Sequence, residues 1–135
     1  MLTGLTKVGD ISKQEFEEQF KFLFPHLSHT YKILVIYDVK KKRVIGAGSL
    51  MIERKFIRGL GLCGHIEDIV VQQGYRGKNL GLRLIELLKS LAVANKCYKV
   101  ILDCDTKNVK FYEKCGMHVK GAQMAWYVDS VKAKL

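Results

Sequence analysis

The chain reads as a single α+β domain, with a mixed and mostly antiparallel sheet flanked by helices. Two strand-length apolar runs, Tyr31 to Asp38 and Val44 to Ile52, are separated only by Val39 and the polar tip Lys40-Lys41-Lys42-Arg43, as in an antiparallel hairpin. A long leucine-periodic stretch, Gly77 to about Asn95, then lies between two shorter apolar runs, Ile66 to Val71 and Val100 to Asp103. That strand-helix-strand order requires a crossover and a parallel, right-handed pair. The rest of the order is an opening helix, a short helix after Asp103, and apolar runs at the end.

Each element has a local cause. Ser12-Lys13-Gln14-Glu15 is a capping box, in which the Ser hydroxyl and the Glu carboxylate exchange hydrogen bonds with each other's amides. Phe16, Phe20 and Phe24, with Leu23 beside them, form one stripe of the helix that follows, read as core; Pro25 stops it. Gly46 and Gly48 in the second strand mark a bulge or close packing. A glycine-rich connection, Gly59 to Gly64, precedes the third strand. Leu80, Leu84, Leu87, Leu88 and Leu91 mark the buried face of the long helix. Asn108 to Lys114 is a short helix closed by Gly116 at C′. Val119 and the run Met124 to Val128 supply the last strands.

The totals narrow the function. The 135 residues make one domain over 1–135, with 128–135 as a flexible tail. Lys and Arg outnumber Asp and Glu by 23 to 13, so the chain attracts anions, but its cations are scattered and not interleaved with exposed aromatics. Nucleic acid is therefore not the expected partner. No stretch reaches 18 apolar residues, and no membrane association is expected. The four cysteines, Cys63, Cys97, Cys104 and Cys115, form no C-x-x-C pair and read as reduced thiols inside the cell. A zinc site from Cys63, His65 and Cys104 lacks paired spacing, so no metal is expected and His65 reads as a satisfied structural histidine. The ending Ala133-Lys134-Leu135 is a variant of the Ser-Lys-Leu import address, which places the protein in the cytoplasm or in a peroxisome-like organelle such as a glycosome.

The chemistry concentrates at Val70-Val71-Gln72-Gln73-Gly74-Tyr75-Arg76-Gly77-Lys78-Asn79-Leu80-Gly81. A strand runs into a tight turn that opens a long helix. The first-turn amides of that helix have no acceptor within it, and the helix dipole adds positive potential, which makes a cradle for pyrophosphate. Gly77 and Gly81 allow close backbone approach, and Arg76 and Lys78 add charge. Glu67 and Asp68 are consecutive, so a regular strand sends them to opposite faces.

This turn resembles the acetyl-CoA signature of the GNAT superfamily, Gln/Arg-x-x-Gly-x-Gly/Ala, here Arg76-x-x-Asn79-x-Gly81 with Asn79 at the middle glycine. Three more stretches resemble the eukaryotic glucosamine 6-phosphate N-acetyltransferases in the same order. These are Leu5 to Ile11, Gly64 to Val71, and Cys97 through Gly116. The likeness spans residues 5 to 124. It implies the GNAT fold, acetyl-CoA as co-substrate, and acetylation of glucosamine 6-phosphate to N-acetylglucosamine 6-phosphate for UDP-N-acetylglucosamine synthesis.

The resemblance also implies roles. Tyr112 is the donor to the departing CoA thiolate, Asp103 contacts the amine, and Glu67 joins them as a catalytic residue. Ile69, Val70, Val71, Arg76, Gly77, Lys78, Asn79, Leu80, Gly81 and Asn108 bind CoA with Tyr112, and backbone amides near Ile69 and Val70 polarise the thioester carbonyl. Thr6, Glu67, Asp68, Asp103 and Lys107 hold the sugar phosphate, with Arg54 and Lys55 as further candidates for the phosphate. The family is homodimeric and takes a basic residue for the phosphate from the partner's last strand. Here that strand reads Met124-Ala125-Trp126-Tyr127-Val128 and has no arginine. Three rival readings are a GNAT enzyme for a protein lysine or a polyamine, a CoA-binding module without catalysis, and Cys104 as an acyl-carrying nucleophile.

Overall fold

The computed structural model describes residues 2–24 and 26–127. Its elements are α1 (Lys13–Leu23), β1 (Tyr31–Asp38), β2 (Arg43–Arg54), the single turn α2 (Ile57–Leu60), β3 (Leu62–Val71), α3 (Leu80–Ala94), β4 (Cys97–Ile101) and α4 (Val109–Lys114). The four strands form one sheet in the order β1-β2-β3-β4. The first three are antiparallel neighbours, and β3 and β4 are parallel across α3. The expected mixed sheet is present. Pro25, the tail 128–135 with Val128, and the Ala133-Lys134-Leu135 ending lie outside the described residues.

The core lies between α3 and the centre of the sheet. Leu50, Ile52, Ile66, Ile85, Leu88, Ala92 and Cys115 are buried together there. The buried face of α3 is Leu84, Ile85, Leu88 and Ala92. Leu87, expected on that face, points outward at 54% exposure. Neighbouring leucines look alike to a periodicity count, and only the sheet's position selects which row is covered.

Two irregularities in β2 shape the sheet. Both fall where the sequence places its glycine pair. The β1–β2 register shifts after Ile36, beside Gly46, and the β2–β3 register shifts between Ala47 and Ser49, beside Gly48. At the second, Ser49 pairs with Glu67 and Ala47 with Val70, so one residue, Gly48, faces two, Asp68 and Ile69. This is a β-bulge, and Asp68 adopts a left-handed φ of 54° within it.

Three expectations are corrected. The Phe16–Phe20–Phe24 stripe forms, and its capping box closes as read, with Ser12 N–H donating to Glu15 and Glu15 N–H to Ser12 Oγ. Yet α1 buries none of its residues, and Phe16 is 61% exposed. Periodicity reveals which face is apolar but not whether anything covers it. Next, β3 begins at Leu62, inside the stretch read as a connection, because that stretch pairs with the far end of β2. Finally, no described residue after Ile101 belongs to a strand, and Val119, Met124, Trp126 and Tyr127 are all exposed. An apolar run becomes a strand only where an edge accepts its hydrogen bonds, and among the described residues neither edge of the sheet, β1 or β4, pairs with this segment.

Candidate active site

A cleft of about 910 Å³ opens where β3 and β4 diverge, between the start of α3 and α4. The β3–β4 pairing ends at His65 and Ile101, and ligands of open sheets bind in the crevice beyond the carboxyl ends of their strands.

One wall is β3. The bulge turns Asp68 out of the alternation, so Glu67 and Asp68, expected on opposite faces, both line the cleft. Ile69, Val70 and Val71 continue the wall. The ladder between β2 and β3 is interrupted beside Ile69, which takes the bulge residues out of the regular pairing.

The floor is the turn into α3. Gly77 has φ 79° and Asn79 has φ 56°, both left-handed. Asparagine is among the few non-glycine residues that visit this region routinely, so Asn79 can stand where the signature has glycine. The Asn79 side chain makes no capping hydrogen bond, and α3 has no acidic residue in its first turn. The orphan amides and the dipole of this 15-residue helix therefore face the cleft without an internal anion. Arg76 is held there by its Nε, which donates to Val71 O at 3.1 Å. Gly81 lines the cleft and also has a packing role. A Cβ at this position would stand 3.2 Å from Phe111 Cζ, so its smallness seats α4 against α3.

The opposite wall follows β4. Asp103, Cys104, Lys107, Asn108, Phe111 and Tyr112 line it. Asp105 caps the turn by accepting from the Lys107 amide at 3.2 Å and pairs with Lys107 Nζ at 2.8 Å. Asp103 accepts from Gln123 Nε2 at 3.0 Å. Tyr112 is half-buried and packs on the core. Burial pushes its phenol above the usual tyrosine range, and the nearby Cys104, Cys115 and Glu67 push the same way. Burial, then the charges of Asp103 and Asp68, raise the Glu67 carboxyl. Tyr112 thus stays protonated, and Glu67 is more basic than an ordinary glutamate.

Of the residues singled out from sequence, Glu67, Asp68, Ile69, Val70, Val71, Arg76, Gly77, Asn79, Leu80, Gly81, Asp103, Lys107, Asn108 and Tyr112 line this one cleft. Thr6 does not, although Gly4 and Leu5 beside it do. Lys78 is also absent from the lining. Its ammonium sits 5.5 Å over the Tyr75 ring, which Lys41 and Arg43 also approach and whose hydroxyl donates to Asp38. Arg54 and Lys55 lie at the other end of β2, and Lys55 pairs with Glu53. Sequence reasoning did not assign Tyr75, Asp105, Phe111 or Gln123 to the site. Tyr75 and Phe111 belonged to the quoted motifs, but Gln123 had no signal, because its contact spans 20 positions.

Such a cleft, with a helix start prepared for a pyrophosphate beside a half-buried phenol and paired carboxylates, suits acyl transfer from a nucleotide thioester. The chain matches the Acetyltransferase (GNAT) family over residues 5–117 and belongs to it. Glucosamine 6-phosphate N-acetyltransferase 1 of Dictyostelium discoideum is 54% identical over 119 residues, 88% of this chain and 75% of that protein. The corresponding Arabidopsis thaliana enzyme is 42% identical over 96% of this chain and 86% of its own length. The crystal structure of the Arabidopsis enzyme superposes with a TM-score of 0.91, covering 95% of this chain and 86% of that one. A Trypanosoma brucei acetyltransferase structure is 36% identical with a TM-score of 0.86, covering 94% and 87% of the two chains.

Proposed function

We propose that this protein transfers the acetyl group of acetyl-CoA to the amine of glucosamine 6-phosphate. The product, N-acetylglucosamine 6-phosphate, is a precursor of UDP-N-acetylglucosamine. The observation that carries this reading is the single cleft that holds both an uncapped α3 start and the Glu67–Asp103–Tyr112 group. The identities with enzymes named for this substrate point the same way.

The pyrophosphate sits on the first-turn amides of α3, with Arg76 beside it. The thioester then extends along β3, where amides near Ile69 and Val70 polarise its carbonyl. The neutral amine attacks that carbon directly. Asp103 orients the amine, and the basic Glu67 accepts the proton it sheds. Tyr112 donates its proton to the departing thiolate, a task for which a raised phenol pKa keeps it ready. No acyl-enzyme is required, so Cys104 remains a lining residue. Most of the acceleration comes from holding two substrates in line. Lys107 is the cation at this wall that meets the phosphate, leaving Asp105 to do so.

The working unit in this reading is a homodimer. Phe16 on α1, Phe56 at 97%, Met124 at 91% and Trp126 at 85% are exposed large apolar side chains, of the kind a second copy would cover. The run from Met124 would then pair with the second copy.

Thiol release from acetyl-CoA, measured with glucosamine 6-phosphate beside unphosphorylated glucosamine, tests the assignment. Release with the phosphate ester alone supports it. Equal release with a polyamine or a lysine peptide would replace the substrate while leaving the family intact.

A further inference from the structure

Away from the cleft, the loop end of the β2–β3 hairpin gathers Glu53, Cys63 and His65. Glu53 and Cys63 are cross-strand partners in the register, and His65 follows Cys63 by two residues on the same face. One ligand atom from each, a carboxylate oxygen, Sγ and an imidazole nitrogen, lies within 4.8 Å of the other two. His65 Nε2 is already 2.8 Å from Glu53 Oε2. Cys104, which the sequence reading grouped with Cys63 and His65, is in the cleft instead. The missing partner was Glu53, on the neighbouring strand and beyond the reach of a spacing rule.

We propose that Glu53, Cys63 and His65 form a binding site for a zinc-class divalent metal ion, distinct from the acetyl-transfer cleft.

The donor set is chemically suited to that class. Zinc takes thiolate, imidazole and carboxylate at about 2.0–2.3 Å in a tetrahedron, which sets donor separations of roughly 3.5 Å. The present spread is close enough for side-chain rotation to close it, with the strands left in register. One thiolate and one carboxylate balance the charge of a divalent ion. Binding replaces the Cys63 S–H bond with a metal–sulfur bond and releases that proton to solvent; the imidazole binds neutral. The fourth position falls to water. An ion can enter past His65 and Glu53, whose side chains are 23% and 37% exposed, while Cys63 closes the inner side. Lys55 Nζ pairs with the other Glu53 oxygen, Oε1, at 2.5 Å, so a metal taking Oε2 leaves that ion pair in place. Lys55 opens the loop that carries the exposed Phe56 and Ile57 and returns at Gly61, whose carbonyl accepts from the Lys55 amide. The metal therefore fastens the root of this loop.

Titration of the full chain with Co²⁺, followed by competition with Zn²⁺, reads the site independently of acetyl transfer. The expected result is one equivalent of Co²⁺ with a thiolate-to-cobalt charge-transfer band, displaced by Zn²⁺. His65→Gln and Glu53→Gln should each weaken binding at least tenfold, and Cys63→Ser should remove the band. His65 and Glu53 are partly exposed, so their variants keep the test decisive even where Cys63→Ser disturbs folding. No band in the wild-type chain, or a band of unchanged affinity in His65→Gln and Glu53→Gln, overturns the proposal.

Discussion

Gln123 donates from Nε2 to Oδ2 of Asp103 at 3.0 Å, which ties the segment after α4 to the end of β4. The bond aims one carboxylate oxygen and leaves the other for a substrate amine. Asp103→Asn should lower kcat/KM for the amine by tenfold or more while acetyl-CoA affinity holds. Gln123→Ala should act through positioning and cost about fivefold, the worth of one modest hydrogen bond of about 1 kcal/mol. Steady-state kinetics with both substrates varied separates the two. Wild-type kinetics for Asp103→Asn would remove that residue from the site.

Tyr112→Phe keeps the ring and its packing but removes the proton. Turnover should fall by roughly 10²–10⁴, the usual range for one acid or base, with CoA binding nearly unchanged. An unaltered kcat would end the proposed role of the phenol.

Glu67 carries a pH signature in stability. Its folded-state pKa is raised, chiefly by burial, so the folded protein binds the proton more tightly than the unfolded chain does. Stability from this group is present below the ordinary glutamate pKa and is lost as pH rises through the raised value. Glu67→Gln should therefore raise Tm at neutral pH, and the difference should vanish as pH falls below the ordinary glutamate range. A variant that is equally stable at both pH values contradicts the sign.

Asn79 sits at φ 56°, where alanine costs about 1 kcal/mol and glycine costs nothing sterically. Asn79→Gly should melt close to wild type, whereas Asn79→Ala should lose roughly 3 °C. Equal melting of the two variants in differential scanning calorimetry would discount the backbone strain.

The exposed aromatic surface predicts self-association. Sedimentation equilibrium should give twice the 15.4 kDa chain mass, and Trp126→Asp should shift the population toward monomer. A monomeric wild-type chain at micromolar concentration would leave Trp126 without the proposed second copy.

The strands, α3 and the turn before it were legible in the sequence because their causes are local. A hairpin tip, a leucine stripe and a strand-turn-helix junction each lie within about twenty residues. The residues lining the cleft were largely legible through the family resemblance, because β3, the α3 turn and α4 each carry a contiguous motif of it. The exceptions were set by contacts between distant segments. Asp68 joins Glu67 only because Gly48, on another strand, faces a two-residue bulge. Lys78 is a local exception: its ammonium lies over the ring of Tyr75, three residues back, and not on the cleft lining.

By itself the sequence determined the order of the main elements through α4, the mixed sheet and the prepared helix start, all consequences of periodicity and backbone chemistry. Only the tertiary structure decided that Phe16 and Phe20 stay uncovered, that Gln123 reaches Asp103, and that Glu53 joins Cys63 and His65. The physical reason is that residue pattern fixes which groups seek partners. Which partners they meet depends on strand register and on where separate segments come to rest.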